Sequence, residues 1–230
     1  MTDTAFFSER FQTALRRADL WHRGQTRKGT AVPYLSHLLG VASLALEFGA
    51  GEEEAIAALL HDALEDGPQN TGRTPDDLSA EIAGLFGPTV LRLVRAATDD
   101  APTPGSEKRG WATRKREYLH HLAEAQPSEL LVSACDKLYN ARSILVDVLT
   151  DGPGVFERFN QKRDGTLQYY RLLADTYAKA GQRAEVVARP RLLACFAELE
   201  RTVSSVEEIC GVTAAQVRAY PLLAQGSARS

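Results

Sequence analysis

The segment AIAALLHDALEDG, Ala55 to Gly67, sets His61, Asp62, Glu65 and Asp66 directly behind a run of small apolar residues. An imidazole and three carboxylates this close in sequence can hold a divalent cation, move a proton, or do both. The spacing predicts a helix over about 52–66, opened by Glu52, Glu53 and Glu54, with His61 and Glu65 on one face and Asp62 and Asp66 on the adjoining one. A solvated acidic helix end would also explain the group. Against that, carboxylates at a helix C-terminus oppose its dipole by roughly a few tenths of a kcal/mol each, so the arrangement is mildly unfavourable without a cation.

Further polar residues stand in apolar surroundings. His37 opens the run HLLGVASLALEFG in line with Val41 and Leu44, which points it inward; a core histidine with a satisfied hydrogen bond is the plain alternative. In ELLVSACDKLYNARSILVDVL, Asp136, Asn140 and Ser143 form a polar stripe beside an apolar one of Leu131, Leu138 and Leu145. A solvent face accounts for Ser143, but Asp136 follows the small apolar VSAC in a helix that reads as buried on most sides. His37, His61, Asp62 and Asp136 thus offer nitrogen and oxygen donors from three helices without a thiolate. That set suits a divalent ion such as Mn²⁺, with Zn²⁺, Fe²⁺ and Co²⁺ as alternatives. Arg27 and Lys28, in the basic loop HRGQTRKGTAVPY, are either an anion contact for an otherwise acidic site or an ordinary solvated pair.

The elements that must position these groups are helical. Hydrophobic periodicity predicts helices over about 4–20, 35–49, 52–66, 74–86 (capped by Thr74 with Asp77 three residues on), 88–98, 107–125, 127–149, 155–180, 190–201 and 213–223. The stretches GPQNTGRTP and DDAPTPGSE read as loops, and the tail AQGSARS as frayed. The fold class is therefore all-α, as a single domain over residues 1–230. The 230 residues are 44% hydrophobic with a formal charge of −3, which fits a globular chain and gives no general pull toward nucleic acid or anionic membrane. Cys135, Cys195 and Cys210 are too scattered for a thiolate zinc site. With no apolar segment that reads as a signal or a span, a reducing cytoplasm is expected.

The pieces HRGQTRKGTAVPYLSH, AALLHDALEDG, LFGPTVLRLVRAATDD and CDKLYNARSIL, over about residues 18–150, resemble the HD metal-dependent phosphohydrolases. They are most similar to the hydrolase domain of the RelA/SpoT stringent-response proteins in its small, stand-alone alarmone hydrolase form. The resemblance implies an HD-domain helical bundle, with residues 151–225 as C-terminal packing helices. It also implies His37, His61, Asp62 and Asp136 as ligands of one Mn²⁺, and Glu65 and Asp66 as the catalytic acidic pair. It implies substrate contacts from Arg27, Lys28, Tyr34, Asn140 and Ser143; Arg114 and Lys115, in a stretch that departs from the family, are either a second phosphate-contacting patch or the solvated face of an amphipathic helix.

The implied reaction removes pyrophosphate from the 3′ position of ppGpp, pppGpp or their adenine counterparts. A phosphatase taking a single 2′- or 3′-phosphate, for example from NADPH, and a catalytically silent nucleotide-binding module are the alternatives. The segment from Lys108 to Tyr118 departs from the synthetase-linked enzymes, so base preference stays open. The partner is a small hyperphosphorylated nucleotide, with no nucleic acid and no membrane; a homodimer is one of the oligomeric states left open.

Overall fold

The computed structural model describes residues 8–98 and 109–223. Within them the backbone forms eleven α-helices, one 3₁₀ turn at Pro153–Arg158 and one isolated bridge between Thr26 and Pro33, so the all-α expectation holds. None of these helices is long and apolar enough to cross a membrane. The expected first turn from residue 4, the DDAPTPGSE loop, Lys108 and the AQGSARS tail lie outside the described residues.

The described residues fall into two compact units. One holds α1 (Glu9–Trp21), α2 (Leu35–Glu47), α3 (Glu52–Leu60), α4 (Gly67–Thr71), α5 (Pro75–Ala97) and the Ser128–Asp136 stretch of α7 (Pro127–Asp151). The other holds α6 (Trp111–Glu124), α7 from Lys137 onward, the 3₁₀ turn, α8 (Lys162–Ala180), α9 (Ala184–Val187), α10 (Pro190–Ile209) and α11 (Ala214–Arg218).

The first unit is organised around α3. Its N-terminus is closed by Glu54, whose carboxylate accepts the Gly51 N–H at 2.9 Å, and the acidic first turn complements the helix dipole. From Ala55 to Leu60 every residue is buried, because α1, α2 and α5 pack against α3. A helix apolar on all sides must be surrounded. Burial of Ile56, Leu59 and Leu60 contributes about 1.5–3 kcal/mol per side chain and fixes the end of α3 in space. α1 adds the stripe Ala14, Ala18, Trp21, and α2 adds Leu38, Val41 and Leu44. In the second unit Ile144, Val148, Phe156, Leu167, Val206 and Val217 make a common core. There Arg171 is buried but gripped by Glu207 and Glu200, which is what makes burial of a guanidinium tolerable.

The Thr74–Asp77 capping box is present, with Thr74 Oγ1 accepting the Asp77 N–H at 3.1 Å. Several expected boundaries move. α3 stops at Leu60 instead of residue 66, and GPQNT, read as loop, forms α4. The helix expected over 155–180 divides into the 3₁₀ turn and α8, with Lys162 at positive φ marking the break. α10 runs eight residues past the expected 201, to Ile209, because Val203 and Val206 are buried there. The expected break at Gly87 is present: its non-helical φ and ψ divide α5 into the two helical stretches read from the sequence.

Two glycines of α5 give opposite expectations. Gly87 sits at φ 85°, ψ 172°, a region essentially reserved for glycine, whereas Gly84 is an ordinary helical residue with open space where a Cβ would go. Gly87→Ala should lower unfolding free energy by about 1–3 kcal/mol, and Gly84→Ala should raise it by up to about 1 kcal/mol. Parallel urea melts of the two variants check this.

Candidate active site

His37 lies in the first turn of α2, His61 and Asp62 directly after the last residue of α3, and Asp136 on α7 within the first unit. All but Asp62 are buried, and Asp62 is half-buried. The two imidazole Nε2 atoms are 3.2 Å apart. Asp62 Oδ2 lies 2.9 Å from His61 Nε2 and 3.6 Å from His37 Nε2, while Asp136 Oδ1 lies 3.5 and 3.3 Å from the same two nitrogens.

The hydrogen bond on the far side of His61 decides what this cluster can do. His61 Nδ1 is 2.9 Å from the Ala58 carbonyl oxygen, which can only accept, so Nδ1 carries the ring hydrogen and Nε2 of the neutral ring presents a lone pair. That lone pair faces a second imidazole nitrogen and two carboxylate oxygens. The His61 lone pair and the two carboxylates repel at this range unless a hydrogen or a positive charge lies among them; His37 Nε2 supplies a hydrogen in one of its two tautomers, and a cation serves for the other. A proton is one solution: burial opposes the imidazolium, but Asp62 and Asp136 outweigh burial and raise His61 well above the usual histidine range. Burial also disfavours ionised Asp62, yet His61 and His37 outweigh it and hold that carboxyl well below its usual range. A divalent cation is the other solution. Ligand atoms of His37, His61 and Asp62 lie within 4.8 Å of one another, as one ion requires, and Asp136 adds a second carboxylate.

The same side-chain bond helps explain why α3 ends early. His61 Nδ1 donates to the Ala58 carbonyl, and Ala63 N–H then turns back to Leu60 O at 2.9 Å, tightening the chain into turns over 61–66. Asp66 consequently precedes α4 as its N-cap residue and does not close α3. It therefore lies outside the C-terminal turn of α3, where the sequence pattern places it, and makes no side-chain cap bond to α4.

Asp66 is held apart from the imidazole cluster. Its Oδ2 accepts from Gln25 Nε2 at 2.7 Å. Burial and the neighbouring charge of Asp62 push its pKa up, against the Gln25 bond. Glu65 is half-buried beside it. Tyr34, expected among the substrate contacts, directs its hydroxyl to Asp62 Oδ2 at 2.5 Å. Arg27 and Lys28 sit on the loop preceding Tyr34, where Arg27 N–H donates to Val32 O at 2.8 Å; Arg27 is half-buried and Lys28 exposed.

The other expected substrate contacts belong to the second unit. Asn140 and Ser143 are half-buried on α7; on α6, Arg114 Nε donates to the Arg109 carbonyl at 3.1 Å and Lys115 Nζ lies 4.6 Å from the centre of the Tyr169 ring. Sequence reasoning missed His22, Gln25 and Asn70, which surround the Asp66 contact. The polar HRGQ start of the basic loop was the available signal, overshadowed by the adjoining Arg27 and Lys28.

Residues 14–167 match the family model described as HD domain. The chain is 34% identical over 126 residues to the guanosine-3′,5′-bis(diphosphate) 3′-pyrophosphohydrolase MESH1 of Danio rerio, covering 54% of this chain and 62% of that protein. The match therefore spans less than two thirds of the zebrafish relative. It is also 34% identical over 146 residues to the Drosophila melanogaster protein of the same name, covering 62% and 74%. Among solved structures, a metazoan ortholog of SpoT described as hydrolysing ppGpp and acting in starvation responses superposes with a TM-score of 0.63 at 27% identity, covering 91% of this chain and all of that one.

Metal binding should carry the signature of its donors. Because the ion needs neutral imidazoles, affinity should fall as pH falls and protons compete for His61, with proton release on binding at any pH where the unbound site still holds a proton on His61, and none above its raised pKa. Calorimetric titration with Mn²⁺ in buffers of different ionisation enthalpy measures both effects. Asp62→Ala and Asp136→Ala should each abolish stoichiometric binding.

Proposed function

The chain belongs to the HD-domain family, and from that we propose that it is an alarmone hydrolase, which removes the 3′-pyrophosphate of ppGpp or pppGpp, or of their adenine counterparts, to leave a nucleoside 5′-di- or triphosphate. The observation that carries this reading is the division of labour among the acids. Asp62 and Asp136 face the imidazoles, while Asp66, a short turn away, is kept out of that cluster with its pKa pushed up by burial and by Asp62. A carboxylate outside the ligand cluster is placed to accept a proton from water.

HD-domain membership and the donor cluster support one divalent ion on His37, His61, Asp62 and Asp136; Mn²⁺ is the ion proposed. When bound, such an ion supplies Lewis acidity toward a phosphate oxygen and lowers the pKa of water. Asp66, with Glu65 beside it, takes the proton from the attacking water, whose oxygen bonds to the phosphorus attached to the ribose 3′ oxygen. The bond from that phosphorus to O3′ breaks, pyrophosphate departs carrying the new oxygen, and the proton returns to O3′. Tyr34 steadies Asp62 through its hydroxyl. Arg27 and Lys28 pair with the charge of the polyphosphate, Asn140 and Ser143 serve the nucleoside end, and Arg114 and Lys115 offer a second phosphate-contacting patch.

The whole chain is read as one hydrolase domain whose helices after residue 150 are packing elements. A substrate made from intracellular nucleotides places it in the cytoplasm.

Anion-exchange separation of products from ppGpp, pppGpp, ppApp, pppApp and NADPH, each incubated with Mn²⁺-loaded protein, tests the reading. Pyrophosphate from a 3′-pyrophosphorylated nucleotide is expected, and turnover of NADPH alone would contradict it. Asp66→Asn and Glu65→Gln should keep the metal and lose about 10²-fold in kcat. Arg27→Ala should lower kcat/KM about ten- to a hundredfold alike for guanine and adenine substrates, because a phosphate contact cannot distinguish bases.

A further inference from the structure

The loop from His22 to Tyr34 turns back on itself. Arg27 N–H donates to Val32 O at 2.8 Å, Thr26 and Pro33 are bridged, and Tyr34 N–H donates to Gln25 O at 2.9 Å. The two residues joined by that last bond each reach a different carboxylate. Tyr34 Oη donates to Asp62 Oδ2, and Gln25 Nε2 donates to Asp66 Oδ2 at 2.7 Å. One backbone hydrogen bond thereby ties a side chain on a metal-facing carboxylate to a side chain on the carboxylate assigned to the water.

The direction of the Gln25 amide is fixed by its other end. Gln25 Oε1 lies 2.8 Å from His22 Nδ1 and 2.7 Å from Asn70 Nδ2, and an amide oxygen can only accept. His22 Nδ1 must then carry the ring hydrogen, and both contacts are donors. Rotating the amide by half a turn would set its NH₂ against the Asn70 donor, itself fixed by the Trp21 carbonyl, and its oxygen against a carboxylate, so one orientation alone satisfies all three partners. Those donors are themselves anchored. His22 is buried and its ring stacks on Tyr34 at 5.3 Å and 21°, while Asn70 Nδ2 also donates to the Trp21 carbonyl at 3.1 Å, tying α4 to the end of α1. The loop and the stretch from Asp66 to Asn70 thus meet at a single amide whose nitrogen donates to Asp66.

We infer that Gln25 is the positioning residue of Asp66, one arm of a two-armed clamp whose other arm, Tyr34, holds Asp62. The clamp sets the separation and orientation of the two carboxylates while His22 and Asn70 keep the Gln25 amide from turning. This role rests on the reading of Asp66 as the group that handles water. It also gives the loop that carries Arg27 and Lys28 a second task besides meeting phosphate, so that phosphate contact and carboxylate alignment are mechanically one unit.

The test is a double-mutant cycle on the Mn²⁺-loaded full chain. Gln25→Glu retains an oxygen for His22 and Asn70 to donate to, but replaces the donor to Asp66 with an acceptor; Asn70→Leu removes one anchor without touching Asp66. Each should lower kcat toward the turned-over alarmone, Gln25→Glu by about tenfold or more, with KM within about twofold and metal content unchanged. In an Asp66→Asn background both substitutions should have little further effect, since no carboxylate remains to be aligned. Full additivity in that background would assign Gln25 a general structural role and overturn the proposal. So would wild-type kcat in Gln25→Glu. If Asp66→Asn itself turned over normally, the assignment of Asp66 would fail and the positioning role with it, whereas a slow Asp66→Asn beside a fast Gln25→Glu would sink the clamp alone.

Discussion

The first unit is organised around the crowding of two imidazoles and two carboxylates at the end of α3. His37 Nε2, His61 Nε2, Asp62 Oδ2 and Asp136 Oδ1 are drawn together at 2.9–3.6 Å in a place where water screens little. Bringing such groups together costs free energy unless a positive charge joins them, and removal of one partner from a buried charged set leaves the rest uncompensated. The cluster therefore favours a positive charge among its atoms, supplied by a proton on His61 or by a divalent ion. The Ala58 carbonyl strengthens that preference by claiming the one ring hydrogen of neutral His61.

The apolar scaffold is what makes that crowding sustainable. α3 is buried from Ala55 to Leu60 and packed by α1, α2 and α5, so the residue that follows it cannot swing away to relieve the repulsion. The chain then turns within six residues, from His61 to Asp66, and begins α4. This abrupt reversal puts Asp66 close to the imidazole cluster yet bonded to Gln25, where its charge is under different control from that of Asp62. Two carboxylates four residues apart thus acquire opposite pKa directions, Asp62 lowered by the imidazoles and Asp66 raised by burial and by Asp62.

The ingredients of this arrangement were legible in the sequence wherever the signal was local. A histidine on an apolar helix face, a carboxylate following VSAC, the acidic opening of α3 and the Thr74–Asp77 capping box each declare themselves within a few residues. The end of α3 was not legible, because the spacing of His61, Asp62, Glu65 and Asp66 suits a helix as well as the turns that replace it. The His61 bond to Ala58 that marks the break depends on where the imidazole lies. The roles of His22, Gln25 and Asn70 were hidden for a different reason. Their partners lie more than forty positions away in two of the contacts, and uncharged polar residues in a glycine-punctuated loop have the composition of any loop. Likewise α10 outruns its expected end because Val203 and Val206 find a core that only the folded chain supplies.

The most direct measurement of the central claim is a crystal structure of the Mn²⁺-soaked protein with anomalous difference maps at the metal edge. One peak should lie among His37 Nε2, His61 Nε2, Asp62 and Asp136, at about 2.0–2.3 Å from its ligand atoms, with the Ala58 contact of His61 Nδ1 intact. A map with no peak at that cluster, or a peak held by Glu65 and Asp66 instead, would contradict the account.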